Sequence, residues 1–352
     1  STFEGLRRLR PDERPFVLTR AGYAGIQRFS AVWTGDNVAS WDHLRLSIPM
    51  LTNLGVSGVP FVGADVGGFS GNPTPELYAR WLQAAALTPF LRSHSEAGSN
   101  PREPYSFGEQ FTSVNRASVE LRYRLLPYLY TLFREHAETG APVMRPLWYE
   151  YPDDQRTYTV EDEYLVGRDL LVAPVVREAA TKRGVYFPAG DDWVDWWTGR
   201  RYEGGRDAEV EAPLDRLPLF ARVGAAVPTI PVIQHTGERT NVPLTLVVVP
   251  GRDGDARVWQ DGLEGYGAGA MPVLVSQRAG AFTVGQTTAA GRTLTAPEWA
   301  QVGAVEILGL AARPKGVLVD GRPPTPPEFD GGAGRLRVSA PRAAQFSIRL
   351  AP

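Results

Sequence analysis

The sequence predicts an α/β region followed by an all-β region: the C-terminal half of a (β/α)8 TIM barrel, and then β-sandwich domains. Between residues 16 and 140, short apolar runs alternate with loops and helical stretches, and polar side chains stand where the runs end. That pattern is typical of a barrel whose strands deliver functional groups to one edge. After about residue 150, helical periodicity gives way to short β-prone runs separated by turn signals, which is typical of β-sandwiches.

Four apolar runs are predicted to be buried parallel strands, at residues 16–20, 29–33, 59–65 and 89–94. A complete barrel has eight strands. We therefore expect the first half of the barrel to be absent from this chain. Residues 1–15 are polar and charged and end in Arg14-Pro15, so we predict a surface loop there.

Helix signals separate these runs. Ser40 is a candidate cap for a helix through Leu54, and Thr74 is a candidate cap for a helix that ends near Leu87. A long helix is predicted from Ser113 to Thr139, where glycine and proline then end it. Near residue 150 the pattern changes from helical periodicity to short β-prone runs, which marks a domain boundary. The predicted domains are 1–150 for the half barrel, 151–245 for a proximal β-sandwich and 246–352 for a distal one.

Composition excludes several classes of protein. Thirty-seven basic residues stand against 39 acidic ones, with a net charge of −2, which disfavours nucleic acid or an acidic membrane as partner. Because the chain contains no cysteine, disulfides, thiolate metal sites and a cysteine nucleophile are excluded. No apolar run approaches the roughly 18 residues of a membrane helix. The compartment is left open, with a cytoplasmic location favoured, and a homo-oligomer is not excluded.

The stretch 32–37, Val-Trp-Thr-Gly-Asp-Asn, ends the second run and carries the leading catalytic candidate. Asp36 follows Trp33 at the end of a strand, where an apolar neighbour would desolvate its carboxylate. Desolvation raises a carboxyl pKa, as a general acid near neutral pH requires. The alternative is an ordinary loop carboxylate or a cap for the next helix, and for this short motif taken alone the alternative is favoured.

Polar groups also follow the other three runs: Arg20 the first, Asp65 the third, and Arg92 with His94 the fourth. Arg20 and Asp65 could form an ion pair that braces a pocket and orients a sugar hydroxyl, although for this pair taken alone a purely structural salt bridge is the favoured interpretation. His94 could bind hydroxyl groups or transfer a proton, because its ordinary pKa is close to neutral, although a lone histidine is more often a satisfied polar residue without a functional role.

Aromatic residues are frequent near these strand ends. They are Trp33, Trp41, Phe69 and Trp81. Aromatic faces suit sugar C–H surfaces, but aromatic residues more often belong to the core, and Trp81, in the middle of a helix, is assigned there. Residues 191–197 contain three tryptophans and could form a carbohydrate platform. A strand and hairpin turning at Thr198-Gly199 is the favoured interpretation of that segment.

Taken together, the chain resembles glycoside hydrolase family 31, the α-glucosidase and α-xylosidase family. The matching stretches are RPFVLTRAGYAG (15–25), VWTGDN (32–37), GVPFVGADVGGF (58–69), TPFLRSHS (88–95), GAPVMRPLWYEYP (140–152), DEYLVGRDLLVAPVV (162–176) and WQDGLEGYGAG (259–269). The blocks occur in the family's order and span almost the whole chain, although the resemblance thins after about residue 270.

This resemblance implies a retaining mechanism in which Asp36 is the general acid/base. Arg20 matches the family's arginine near the nucleophile and the sugar. Asp65 and His94 match pocket residues of the hydroxyl-binding network, while Trp33 and Phe69 match the pocket wall. The family's nucleophile lies on an earlier strand, in a Trp-x-Asp-Met-Asn type segment, and no such segment occurs here.

The hypothesis is therefore an exo-acting α-glucosidase that acts on α-linked oligosaccharides together with an N-terminal part carrying the nucleophile. An α-xylosidase or transglycosylase of the same family stays open, as does a carbohydrate-binding protein without turnover. No metal or organic cofactor is implied, because two carboxylates and water suffice.

Overall fold

The computed structural model describes residues 1–260, 271–278, 281–286, 301–341, 343 and 345–351. Most of the predicted stretch 259–269 lies outside these residues. By its contacts the chain divides into two units. The first unit comprises residues 1–122, 135–190 and 204–219, and the second comprises 123–134, 191–203 and 220–352. The three predicted domain boundaries stay a prediction.

The first unit begins with short parallel strands. They are β1 (Leu18–Thr19), β2 (Ala31–Trp33), β3 (Val62–Gly63), β4 (Asp65–Val66) and β5 (Arg92–Ser93). β2 pairs in parallel with both β1 and β3, and β4 pairs in parallel with β5. Each of the four predicted runs contains at least one of these strands, so the half-barrel prediction is confirmed.

Helices accompany these strands and carry the predicted signals. In the part of the chain that the structure describes, the α-helices are α1 (Thr2–Leu9), α2 (Trp41–Val56), α3 (Pro75–Ala85), α4 (Glu109–Thr139) and α5 (Leu147–Glu150). The Ser40 side chain accepts a hydrogen bond from the His43 amide, and the Thr74 side chain accepts one from the Leu77 amide, both at 3.2 Å. Gly140 then ends α4 with a left-handed backbone at φ +81°. The caps at Ser40 and Thr74 are therefore confirmed, and α4 begins four residues before the predicted start.

The prediction of a loop over residues 1–15 is wrong for residues 2–9, which form α1. Glu4 lies in its first turn and Arg7 and Arg8 in its last, so the charges complement the helix dipole. The same charges made the segment look like a loop. No residue of α1 is buried, and Leu9 is 74% exposed.

Eight further strands lead from the barrel segment to residue 222. They are β6 (Met144–Arg145), β7 (Tyr164–Val166), β8 (Leu170–Val172), β9 (Lys182–Phe187), β10 (Trp193–Asp195), β11 (Arg201–Tyr202), β12 (Arg206–Glu211) and β13 (Leu219–Arg222). In the first unit, β6, β7 and β8 form an antiparallel meander, and β9 pairs antiparallel with β12. Short 3₁₀ helices cover Ile26–Arg28, Gln155–Thr159 and Thr236–Asn241.

A buried arginine connects distant parts of the first unit. Arg80 lies on α3 and is 1% exposed. Its guanidinium donates to the backbone carbonyls of Ala180, Ala212 and Pro213, at 3.1, 2.8 and 3.1 Å, and to that of Arg216 at 3.5 Å. Helix α3 is thereby fixed to the segments on either side of the β9–β12 ribbon.

The second unit contains a β-sandwich. Its remaining strands among the described residues are β14 (Ala226–Thr229), β15 (Leu244–Val248), β16 (Gly254–Gln260), β17 (Met271–Arg278), β18 (Ala281–Gln286), β19 (Val302–Leu308), β20 (Gly316–Val319), β21 (Glu328–Asp330), β22 (Arg335–Ser339) and β23 (Gln345–Ala351). One sheet has the order β14-β15-β19-β22-β21 and the other β16-β17-β18-β23-β20. Buried side chains of both sheets form a single core, which confirms the predicted sandwich.

The tryptophan-rich segment is structural. Trp193 is fully buried and Trp196 is 6% exposed, while β10 pairs with β11 across a turn in which Gly199 has φ +69°. The hairpin interpretation is therefore confirmed. Trp81 is 1% exposed and belongs to the core, as predicted. Among the described residues, no helix combines the length and apolar character needed to cross a membrane.

Candidate active site

Asp36 lies three residues after β2, at the carboxyl edge of the parallel strands. Its Oδ2 is 3.8 Å from Nη1 of Arg20, which follows β1. Gly35 allows this approach: its backbone has φ +82°, and a Cβ there would lie 2.7 Å from Nε of Arg20. Because Ser40 caps α2, Asp36 is not the helix cap that the alternative interpretation required.

The Asp36 side chain is 49% exposed. The sequence predicts that the nearby Trp33 shields this carboxylate from water, and the side chain is more exposed than that prediction implies. One reason is the position of the indole, which contacts a different charged group. The guanidinium carbon of Arg92 lies 5.0 Å from the Trp33 ring centroid, a cation–π distance.

Asp65 forms an ion pair with Arg92, so the predicted pairing of Asp65 with Arg20 is wrong. Oδ1 of Asp65 accepts hydrogen bonds from Nε of Arg92 at 3.0 Å and from Nη2 at 2.6 Å. Strand register explains the difference: Asp65 and Arg92 are direct partners in the β4–β5 pair, whereas β1 pairs with β2. Both residues were seen at strand ends, but the sequence does not state which strands are neighbours.

The Asp65 side chain is fully buried. Burial raises the pKa of its carboxyl group, and Arg92, through a hydrogen bond and its charge, opposes that rise. The positive field of His94 also lowers the pKa, and Asp36 raises it. Asp65 is thus coupled electrostatically to His94 and Asp36 as well as to Arg92.

Phe69 and His94 face each other. Their ring centroids are 5.4 Å apart and the ring planes are inclined by 38°. Phe69 belongs to the loop after β4, and His94 directly follows β5. Parallel pairing of β4 with β5 brings the two loops together at one edge.

Sequence reasoning missed Asn37, which joins two of the loops. Its Nδ2 donates to the backbone carbonyl of Asp65 at 3.0 Å, and its Oδ1 accepts from the backbone amide of Phe69 at 2.8 Å. The signal that could have found it is its place immediately after Asp36, where an amide can bond backbone in both directions.

The same edge therefore collects the six predicted site residues, which are Arg20, Trp33, Asp36, Asp65, Phe69 and His94. The described residues include no group of three or more His, Cys, Asp or Glu side chains that could hold a metal ion. What the arrangement offers is an accessible carboxylate next to a cation, with a braced ion pair and a Phe–His wall on neighbouring strands.

Comparison with known protein families gives two matches in chain order. Residues 1–132 match the TIM-barrel domain of glycosyl hydrolases family 31, and residues 140–227 match the C-terminal domain of the same family. The chain belongs to glycoside hydrolase family 31. Family 31 accounts for both the parallel strands and the β-rich region after them.

Relatives and solved structures of family 31 agree with this. Alpha-glucosidase 2 of Bacillus thermoamyloliquefaciens is 51% identical over 227 residues, which are 64% of this chain and 29% of that protein. The structure of a Flavobacterium johnsoniae dextranase complexed with glucose superposes with a TM-score of 0.88 at 29% identity, covering 99% of this chain and 47% of the dextranase. An α-xylosidase of Xanthomonas citri gives a TM-score of 0.76 at 34% identity, covering 87% of this chain and 34% of that chain.

The chain is much shorter than these family-31 proteins. It spans less than half of the dextranase and under a third of the Bacillus protein. Activity of the whole protein is accordingly a matter for proposal.

Proposed function

We propose that this chain supplies the acid/base part of a retaining, exo-acting α-glucosidase that releases glucose from the non-reducing ends of α-linked oligosaccharides. The observation that carries the proposal is the position of Asp36, 3.8 Å from Arg20 at the carboxyl edge of parallel strands. Membership of family 31 and the 51% identity to an α-glucosidase support the choice of sugar.

In the first half of the reaction, Asp36 protonates the glycosidic oxygen as the bond to the anomeric carbon breaks. A second carboxylate attacks that carbon and forms the glycosyl–enzyme intermediate. In the second half, Asp36 removes a proton from water, and the resulting attack releases glucose.

The second carboxylate is proposed to come from an N-terminal part of the same enzyme. Retaining enzymes hold their two carboxyl groups about 5–5.5 Å apart, so that part must approach Asp36 closely. The 49% exposure of the Asp36 side chain in this chain leaves room for such an approach.

The remaining residues bind and orient the sugar. Arg20 lies beside Asp36, with Nη1 3.8 Å from Oδ2, and would place a positive charge next to the sugar. Asp65 holds Arg92 through two hydrogen bonds, so that the guanidinium stays against Trp33. Phe69 and His94 form a wall that offers an aromatic face and a hydrogen-bonding ring.

An α-xylosidase is the second candidate, supported by the likeness to the Xanthomonas citri enzyme. A transglycosylase and a protein that binds the sugar without turnover are further outcomes of the same test. Glucosides and xylosides differ in one hydroxymethyl group, so paired substrates separate the first two.

The test is release of the aryl group from paired aryl α-glucoside and α-xyloside by the complete enzyme. We expect the glucoside to be cleaved faster. Asp36→Asn keeps the shape of the side chain but cannot transfer the proton, so cleavage of alkyl glucosides should fall by about 10²–10⁴-fold. Aryl substrates with good leaving groups should be affected less in the first half-reaction.

The matched control is Asp12→Asn, which removes a carboxylate at an exposed position of the first unit. It should keep wild-type turnover. Near-normal alkyl glucoside cleavage by Asp36→Asn would refute the assignment, and glucose binding without any turnover by the wild type would favour the binding protein.

A further inference from the structure

The wall residue Phe69 belongs to a segment with little intrinsic order. Residues 67–71, here called the glycine loop, contain three glycines with positive φ, at 67, 68 and 71. Glycines leave a chain with much backbone freedom. Other parts of the molecule must therefore hold this loop if the Phe69 ring is to stay 5.4 Å from His94.

Arg102 holds the glycine loop through its backbone carbonyls. Its guanidinium donates to the carbonyls of Gly68, Phe69 and Gly71, with the Phe69 contact at 3.4 Å. The residue is only 5% exposed. A guanidinium presents its donors in a fixed fork, so one side chain binds three peptide units of the loop at once.

Glu96 holds the same loop from its donor side. One carboxylate oxygen of Glu96 accepts from the hydroxyl of Ser70 and from the amide of Gly71, both at 3.0 Å. The Glu96 amide also donates to the Phe69 carbonyl at 3.0 Å. Arg102 thus binds three carbonyls of the loop and Glu96 binds two of its donors, while the Phe69 amide is bound by Asn37.

Both residues lie on the segment that follows His94. Residues 94–108, here called the β5 loop, are themselves anchored to the body of the first unit. The Ser93 hydroxyl donates to the Arg102 carbonyl at 2.7 Å, and Nδ2 of Asn115, buried on α4, donates to the Pro104 carbonyl at 2.8 Å. Phe107 stacks on Tyr78 of α3, with ring centroids 4.1 Å apart. Arg102 therefore starts from a fixed backbone.

We infer that Arg102 is a positioning residue for the sugar site: it fixes the glycine loop to the β5 loop and thereby sets the distance between Phe69 and His94. Arg102 acts through Phe69 and does not itself contact the reacting atoms. The inference rests on the proposed function for its kinetic readout, and on the structure alone for the positioning of the loop.

The kinetic test compares Arg102→Gln, Arg102→Lys, Phe69→Ala and the double variant Arg102→Gln/Phe69→Ala in the complete enzyme. Misplacement of a positioning group by about 1 Å can cost up to about 10²-fold in rate, so kcat of Arg102→Gln should fall by about tenfold or more. Arg102→Lys keeps the charge without the fork and should recover only part of that loss. Arg116→Gln removes an exposed charge from α4 and should leave kcat unchanged.

The double variant separates positioning from general damage to the fold. If Arg102 acts through Phe69, the double variant should be about as slow as Phe69→Ala alone, because coupled residues are not additive. Losses that multiply, or an unchanged kcat in Arg102→Gln, would overturn the inference.

Amide hydrogen exchange tests the same inference without turnover. In Arg102→Gln the amides of residues 69–71 and of Glu96 should exchange about tenfold faster or more, because their protection depends on local opening. Unchanged exchange would overturn the inference. A wild-type enzyme that neither cleaves nor binds glucosides would instead refute the proposed function, and the exchange result would still decide the role of Arg102.

Discussion

Carboxyl groups in this chain differ mainly in what surrounds them. Asp36 is half exposed beside one arginine, and Asp65 is fully buried but receives two hydrogen bonds from Arg92. Glu163 is 3% exposed and accepts one hydrogen bond, from the Tyr186 amide at 3.0 Å. The neighbouring cation Arg183 lies 3.6 Å from Glu163, which is farther than its 2.8 Å contact with Asp162.

Glu163 should therefore make stability depend on pH. Burial raises its pKa from the ordinary 4.5 to about 8, and the Arg183 charge opposes this only in part. Between these values the folded chain holds a proton that the unfolded chain has released. The contribution of Glu163 to the free energy of unfolding is therefore fully present below about pH 4.5 and is lost as pH rises to about 8.

Glu163→Gln cannot titrate and should remove this dependence. We expect the stability of the variant relative to wild type to increase with pH across this interval, by at most about 1.4 kcal/mol per pH unit. Urea unfolding at pH 5, 7 and 9 measures it. Glu161→Gln, an exposed position two residues earlier, is the control and should follow the wild type. A difference in unfolding free energy between Glu163→Gln and wild type that is the same at all three pH values would contradict the assignment.

At the scale of elements, the connections after the strands are shaped by close backbone approach. The glycine loop passes so near the start of α2 that a Cβ on Gly68 would lie 2.3 Å from the Ala39 amide nitrogen. Gly58, in the turn after α2, has nearly the same φ, +86° against +87°, but a Cβ there meets nothing within 4 Å. Substituting each glycine by alanine therefore distinguishes two contributions to the free energy of unfolding. Both substitutions strain the backbone, but only the one at Gly68 adds a steric clash.

Gly58→Ala should cost about 1–2 kcal/mol of unfolding free energy, because an L-residue is strained at this φ. Gly68→Ala carries the same strain plus a backbone clash and should cost about 4 kcal/mol or more. Denaturant unfolding of both variants measures the difference. Equal costs would mean that the loop can move away from α2 without loss.

Strand ends and helix caps could be predicted because they depend on nearby residues. Asp36, Asp65 and His94 each follow an apolar run, and Ser40 precedes a helical pattern, so a short window contains the information. Contacts between strands could not be predicted in the same way. The Asp65–Arg92 pair depends on the register of β4 with β5, which a single sequence does not specify.

At the scale of the whole molecule, the chain belongs to family 31 yet spans only part of its relatives. The first unit is discontinuous in sequence, and Arg80 is one of the groups that join its pieces. Its acceptor carbonyls lie 100 to 136 positions later in the chain. Burial lowers the pKa of this guanidinium, because removing the charge from water is unfavourable. The hydrogen bonds to those carbonyls offset part of this desolvation cost.

Arg80→Met should remove one hydrogen bond from each of four carbonyls, of which only that of Pro213 keeps another donor among the described residues, the Arg216 amide. It also removes the cost of burying a charge. We expect a net loss of about 3 kcal/mol or more in unfolding free energy. Arg45→Met, at an exposed position of α2, should change stability by less than about 0.5 kcal/mol. Thermal and urea unfolding of both variants measure the difference, and equal stabilities would refute a connecting role for Arg80.

Arg80 also sets an order of events during synthesis. A ribosome adds roughly 5–20 residues per second, and the Ala212 carbonyl is 132 positions after Arg80. The nascent chain must therefore carry this arginine for roughly 7 s or longer before its last partners are translated. Until then α3 cannot complete its native contacts. During this interval the Arg80 guanidinium, which is buried in the folded protein, must stay in contact with water or with a chaperone.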